Sequence, residues 1–353
     1  MNRALLVRRA GVVALLSLTF AAFFWAALPN VDARPRATDG GAPGGSDLQL
    51  FIRTVDDLRN GTPYYEATGQ EMRAGGYPTR SVFNWRQPAV YFLLSHVPML
   101  FAQLCLVVLA AKLLRDLDKI LPRELFALAP MANTAFGLLV PVAVYFTEAW
   151  AGAFIGLSLL AYARNRERSG AVWGVLALFV RELAAPYCLL AGCLAVWNRR
   201  WAEVRVWAIG AACYAVYYGL HVAQVMKHIR PDDKAHLSSW IAFGGLRFTA
   251  ETLKRNGLLL IAPPLVIAVV AVALVAAWWN ARLPFHARAT LVMYCGLFLV
   301  VGLPFNGYWG FLIAPAVSLW LAYAWGGVQT LWSPSHLAVA DANAPCAASL
   351  TRA

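Results

Sequence analysis

The feature that most constrains this chain is a series of apolar runs separated by short stretches that hold nearly all of its charge. Several runs approach the roughly 20 residues that a helix needs to cross the hydrocarbon core of a bilayer. Hydrophobic residues make up 60% of the chain and charged residues 14%, against about a quarter charged in ordinary soluble domains. The mean hydropathy is +0.57. An ordinary soluble enzyme is therefore excluded. So is a disordered chain, because 14 Trp, 13 Tyr and 18 Phe demand burial.

Thirty basic residues against 18 acidic ones give a net charge of +12. In a soluble domain that excess would raise the question of nucleic acid. Here the basic residues cluster between apolar runs and act as cytoplasmic topology markers, so no nucleic-acid partner is expected. The six cysteines show no CxxC spacing, and all but Cys346 lie in apolar runs. They read as small buried hydrophobes, with no disulfide and no metal assigned.

Arg3, Arg8 and Arg9 precede the run 11–28, which reads as a signal anchor that sends the following segment out of the cytoplasm. Residues 29–87 then form a long first extracytoplasmic loop. It opens Gly/Pro-rich at 40–45 and becomes an amphipathic helix over 47–59, with Leu48, Phe51, Ile52, Val55 and Leu58 at helical spacing. Spans follow at 88–111, 125–146 and 149–163, with cytoplasmic marks at Lys112, Arg115, Lys119 and Arg123 and again at Arg164, Arg166 and Arg168. The segment 171–197 is apolar with basic flanks at both ends and carries Arg181-Glu182 in its middle. One span cannot start and finish on the same side, so this segment folds as a hairpin with the charged pair near its tip. The run 205–225 exits, 226–256 is a second external segment, and 257–279, 289–303 and 308–328 complete the set.

The expected fold is an all-α polytopic membrane protein, one transmembrane domain over 1–331 with about eight full spans and one re-entrant-like helical hairpin. Residues 332–353 read as a disordered cytoplasmic tail.

Ionisable residues at membrane level are costly unless paired or wet, which makes them default functional candidates. On this topology they gather at the external side: Asp47, Asp56, Asp57, Tyr64, Tyr65, Arg80, Asn84 and Arg86 in the first loop, Glu148 between two spans, Arg181 and Glu182 at the hairpin tip, and His221, Asn306 and Tyr308 nearby. Carboxylates can act as general bases, arginine forks bind phosphate, and aromatic faces stack on sugar rings. Each residue type also has a structural reading. Asp47 precedes an amphipathic helix and suits an N-cap. Tyr64 and Tyr65 suit an interfacial anchor, Arg86 can snorkel to headgroups, and Glu148 can be merely hydrated. His221 suits a structural histidine.

The first-loop run Ser46-Asp-Leu-Gln-Leu-Phe51, the stretch Asp57-Leu-Arg-Asn-Gly61-Thr-Pro-Tyr-Tyr65, then Tyr77-Pro78 and Phe83-Asn-Trp-Arg86-Gln-Pro88 resemble the opening of the GT-C superfamily of polytopic glycosyltransferases. Within it the similarity is to bacterial members related to the polyprenyl-phosphate-mannose-dependent families. It extends over residues 1 to about 200, including Glu148 and Arg181-Glu182, and beyond that only to general hydropathy and the 304–315 stretch. The resemblance implies that Asp47 is the general base that deprotonates an acceptor hydroxyl. It implies further that Arg86 holds the donor's lipid phosphate, that Glu148 positions a sugar hydroxyl, and that Arg181 binds phosphate beside Glu182. The other substrate-binding candidates are Tyr64, Tyr65, Arg80 and Asn84.

The implied partners are a polyprenyl-phosphate sugar donor, a glycan or glycolipid acceptor and membrane lipids. No cofactor is expected beyond the lipid-linked donor. No metal is expected either, because the first loop lacks an Asp-x-Asp triple, though the Asp56-Asp57 pair keeps that question open. The implied location is the plasma (inner) membrane with an extracytoplasmic site. A Trp-Trp-Asp-Tyr-Gly-like motif is absent, which separates the chain from lipid-to-protein oligosaccharyltransferases. Two other classes stay open: a transporter or flippase of lipid-linked sugars, which would want internal repeats and a polar path to both sides, and a non-catalytic membrane assembly protein.

Overall fold

The computed structural model describes residues 3–28, 47–121, 128–235, 243–302 and 304–332, and every regular element in them is helical. The Gly/Pro-rich stretch 40–45 and nearly all of the tail 332–353 lie outside the described residues. Helix α7 (Thr147–Ala163) forms the centre, with fifteen of its 17 residues buried. A helix that is apolar all round belongs inside a bundle.

Around it stand α5 (Met99–Asp118), α6 (Leu128–Leu139), α8 (Glu167–Val180) and α14 (Gly310–Ala322). Glycines on α7 bring α14 to backbone contact. A Cβ at Gly152 would collide with the Phe311 carbonyl oxygen, and one at Gly156 would lie 2.6 Å from Pro315. Small residues four apart are how membrane helices pack closely without a hydrophobic drive between them. A second layer consists of α1 (Arg3–Ala27), α12 (Pro264–Ala277) and α15 (Ala324–Trp332), with α11 (Gly245–Lys254) and α13 (Phe285–Val300) packed beside them.

Among the described residues, two helices are long and apolar enough to cross a membrane, the 9–27 part of α1 and the 28-residue α10 (Trp201–His228). The 306–322 and 324–332 helices, bent by 42° at their junction, make a third if they act as one. Other runs that read as single spans are interrupted. The run 88–111 breaks into α4 (Ala89–His96) and α5 at Val97, which is extended at φ −120°, ψ 152°. Pro98 causes this, since proline lacks an N–H and steers its predecessor out of the α region. The run 125–146 ends as a 3-10 turn over Pro141–Tyr145. Helices of 12 to 16 residues such as α6, α12 and α13 rise about 18–24 Å, short of a roughly 30 Å hydrocarbon core.

The segment 171–197 does fold back on itself. Helix α8 ends at Val180, Arg181 is extended, a 3-10 turn covers Glu182–Ala184, and α9 (Ala185–Trp197) returns. The Cys188 thiol lies 3.3 Å from the Gly174 carbonyl oxygen, two positions equally distant in sequence from Arg181. The Ser158 hydroxyl of α7 bonds both the Gly170 carbonyl of α8 and the Tyr187 hydroxyl of α9, which ties the two arms to the central helix.

The amphipathic helix expected at 47–59 is α2 (Asp47–Arg59), with Phe51, Thr54 and Val55 buried. It packs on α3 (Tyr64–Ala74) and α4. This loop layer is pinned to the end of α10. Arg73 donates to Asp233 at 2.7 Å and to the His228 carbonyl at 2.6 Å, while the backbone N–H groups of Thr79 and Arg80 both approach the Lys234 carbonyl.

Candidate functional site

Beneath the α2–α3 layer, four elements converge on a buried set of charges. Arg86 enters from the loop before α4, Glu148 from the first turn of α7, Arg181 and Glu182 from the α8–α9 turn, and Tyr308 from the 3-10 turn before α14. Each sits where a helix breaks, because helix ends leave backbone groups unpaired and let the chain present a polar side chain inward.

Glu148 is the centre of the set, and its side chain is fully buried. Arg86 Nη1 donates to its Oε1 at 2.6 Å, and Arg181 Nε lies 2.9 Å from the same oxygen as an ion pair with poorer alignment. The Thr147 hydroxyl donates to Oε2 at 3.3 Å. Arg181 also pairs with Glu182 through Nη1. Arg86 Nη2 donates to the Tyr308 hydroxyl at 2.7 Å, and the guanidinium lies over the Phe51 ring (5.1 Å) and the Tyr308 ring (5.4 Å). Arginine is the cation suited to such a place, with five N–H donors in a fixed fork and a face that stacks on rings. Two guanidiniums against two carboxylates balance the buried charge, the condition under which such a group persists in a core.

Gln87 extends the network. Its Nε2 donates to Glu182 at 3.2 Å and to the Tyr214 hydroxyl of α10 at 2.8 Å. Among the described residues, Gln87 Oε1 and the Tyr91 hydroxyl are buried here without a hydrogen-bond partner, so the site retains polar capacity that no described neighbour fills. Asp47 closes the set from above. Its Oδ1 accepts the Tyr77 hydroxyl at 2.9 Å, and Tyr77 in turn lies within electrostatic reach of Tyr308 and Arg86. Burial, and next the Asp47 carboxylate, hold the Tyr77 hydroxyl well above its ordinary pKa, so it stays a donor at neutral pH.

The sequence candidates thus divide. Asp47, Arg86, Glu148, Arg181 and Glu182 come together, joined by Tyr308. Tyr64 is buried, and its hydroxyl donates to the Arg86 carbonyl at 2.7 Å, which fixes the arginine's backbone rather than offering a ring face. Tyr65 turns to α10, where its hydroxyl lies 3.0 Å from His221 Nδ1 and its ring sits between His221 and His228. Burial pushes that hydroxyl up to about 12. Asn84 donates to the Pro78 carbonyl at 2.8 Å and braces the loop, and Arg80 is exposed.

Gln87, Tyr77, Tyr91 and Tyr214 belong to the network but were not among the sequence candidates. A signal existed for three of them, for Tyr77 in the first-loop step Tyr77-Pro78. Gln87 is the last polar residue before an apolar run, and Tyr214 opens the helical stripe Tyr214, Tyr217, Tyr218, His221. Among the described residues no group of three or more His, Cys, Asp or Glu is placed to hold a metal ion.

Compared with protein-family models, curated proteins and solved structures, the chain finds no match.

Proposed function

We propose that the chain is a GT-C-type membrane glycosyltransferase that moves one sugar from a polyprenyl-phosphate donor to a glycan or glycolipid acceptor outside the cytoplasm, at the plasma (inner) membrane. In this reading the broken helices are members of a bundle of about eight spans, with the α8–α9 hairpin inserted from one side. The observation that carries it is a charge-balanced set of two arginines and two glutamates roofed by a loop that holds a fifth ionisable group, Asp47, close by.

The reaction is one displacement at the anomeric carbon. The Asp47 oxygen not engaged by Tyr77 takes the acceptor's hydroxyl proton. The acceptor oxygen forms the new bond to carbon, and the bond from that carbon to the phosphate oxygen breaks with its electron pair leaving on the lipid phosphate. A single displacement inverts the anomeric centre. Arg86 and Arg181 stabilise the departing phosphate, since charge-assisted donors aimed at developing charge are the largest usual contribution to such a step. Glu148 keeps both guanidiniums oriented.

The test is sugar transfer by purified protein in lipid from a radiolabelled polyprenyl-phosphate sugar. Asp47→Asn is expected to lose about 10²-fold or more in turnover, as for a lost general base, with an unchanged melting profile. Full activity in that variant contradicts the role of Asp47.

A further inference from the structure

At the other end of α9 lies a second constructed feature, remote from the charge cluster. Leu194, Trp197, Asn198, Arg200, Phe285 and His286 enclose an open groove of about 500 Å³. Helix α9 rises about 20 Å from the Arg181 turn to Trp197, so the groove and the cluster occupy opposite ends of the hairpin.

Its walls and floor differ in kind. Trp197 is 85% exposed and Phe285 62%, with Trp201 beside them at 61%. Such exposure of large rings is normal only where lipid covers them, and tryptophan favours the headgroup level. The floor holds an arginine in position between two carboxylates and a histidine. Arg200 Nε sits 3.1 Å from the Glu203 carboxylate, which is itself buried and also accepts from the Tyr162 hydroxyl at 2.6 Å and from Trp207 Nε1 at 3.3 Å. The His286 ring stacks on Tyr162 at 4.0 Å and 2°. Arg200 Nη2 reaches to 3.5 Å from His286 Nε2, and its Nη1 is 3.9 Å from Glu167, too far for a strong pair. Both outer nitrogens of the fork thus make only long contacts, and Arg200 lines the groove. Arg199, exposed and in the left-handed region at φ +56°, adds a second cation at the same turn.

We infer that this groove is a binding site for an anionic phospholipid of the adjoining leaflet, with the phosphate on Arg200 and His286 and the acyl chains along Trp197 and Phe285. A basic pocket between membrane helices at the headgroup level is the form that anionic lipid recognition takes. The apolar walls select a lipid over free phosphate, because only hydrocarbon relieves their exposure to water.

Native mass spectrometry of the full chain in a neutral maltoside detergent, with phosphatidylglycerol and chain-matched phosphatidylcholine at equal concentration, tests this. Wild type is expected to retain one phosphatidylglycerol with a preference of about fivefold or more, the scale of one arginine near an anionic lipid. Arg200→Gln is expected to abolish the preference. The double variant Trp197→Ala/Phe285→Ala, at exposed positions, is expected to weaken retention of phosphatidylglycerol. Equal retention of both lipids by wild type overturns the inference, as does an unchanged preference in Arg200→Gln or unchanged retention in the double variant. A melting shift with inorganic phosphate as large as that with phosphatidylglycerol would overturn the lipid as the occupant.

Discussion

Glu148 is the residue on which the cluster depends. It is the only carboxylate within ion-pair reach of both Arg86 and Arg181 among the described residues, and its side chain is fully buried. Removing one member of a buried ion pair strands its partners, at a typical cost of about 3–5 kcal/mol. Glu148→Gln is therefore expected to lower the thermal midpoint sharply while keeping the volume unchanged. A midpoint equal to wild type in a thermal-shift measurement would mean that the arginines find water or another partner.

A second residue pair sets how the roof loop responds to pH. Its hydrogen bond from Arg73 holds Asp233 down at about 2, below the ordinary 3.8. A depressed carboxyl contributes stability that is present above the unfolded value and lost as the pH falls through the folded one. Docking of α3 on the end of α10 should thus loosen between about pH 4 and pH 2 and be indifferent to pH from 5 to 8. Hydrogen exchange of residues 64–74 reads this directly. Asp233→Asn should exchange faster already at pH 7, and equal protection in variant and wild type would refute the pinning role.

At the scale of elements, the cluster is assembled by how α14 lies on α7. Gly152 touches the backbone at Phe311 and Leu312, and Tyr308, just upstream on the same strand of chain, reaches Arg86. Gly152→Ala is expected to push α14 outward and to cost about 1–3 kcal/mol, as overpacking does. It should also weaken the Arg86–Tyr308 contact and, on the proposed function, lower sugar transfer. Activity and midpoint both at wild-type level would show that the helices separate without disturbing the site.

These same elements show what was legible beforehand. The α8–α9 hairpin was readable because Arg181-Glu182 interrupts an apolar run whose two flanks are both basic, an arrangement one span cannot satisfy. Helix α2 was readable from its apolar spacing. The breaks at Pro98 and Pro141 were not read, because hydropathy averages over a window and does not register a lost N–H. The pairing of Arg86 with Tyr308, 222 residues apart, is a tertiary contact that no local pattern encodes. Tyr64 and Tyr65 illustrate the same limit. The sequence marks the pair as aromatic, but only packing decides that one hydroxyl braces Arg86 and the other meets His221.

At the scale of the whole molecule, the described residues form a helical bundle with two distinct polar features. One end carries the roofed charge cluster. The other presents exposed tryptophans and arginines around an open groove. Helix α10 links the two levels, meeting the cluster through Tyr214 and the loop layer through His221, His228 and Asp233 beyond its end.

A transporter of lipid-linked sugars would use the same arginines without breaking a bond, so the account turns on whether a bond is broken. The deciding measurement is wild-type protein in sealed liposomes supplied with a radiolabelled polyprenyl-phosphate sugar and a membrane-derived acceptor fraction, scored for labelled acceptor, freed polyprenyl phosphate and donor moved across the bilayer. Labelled acceptor and freed polyprenyl phosphate in equal amounts are the expected result. Donor carried across the bilayer intact, with neither product formed, would contradict it.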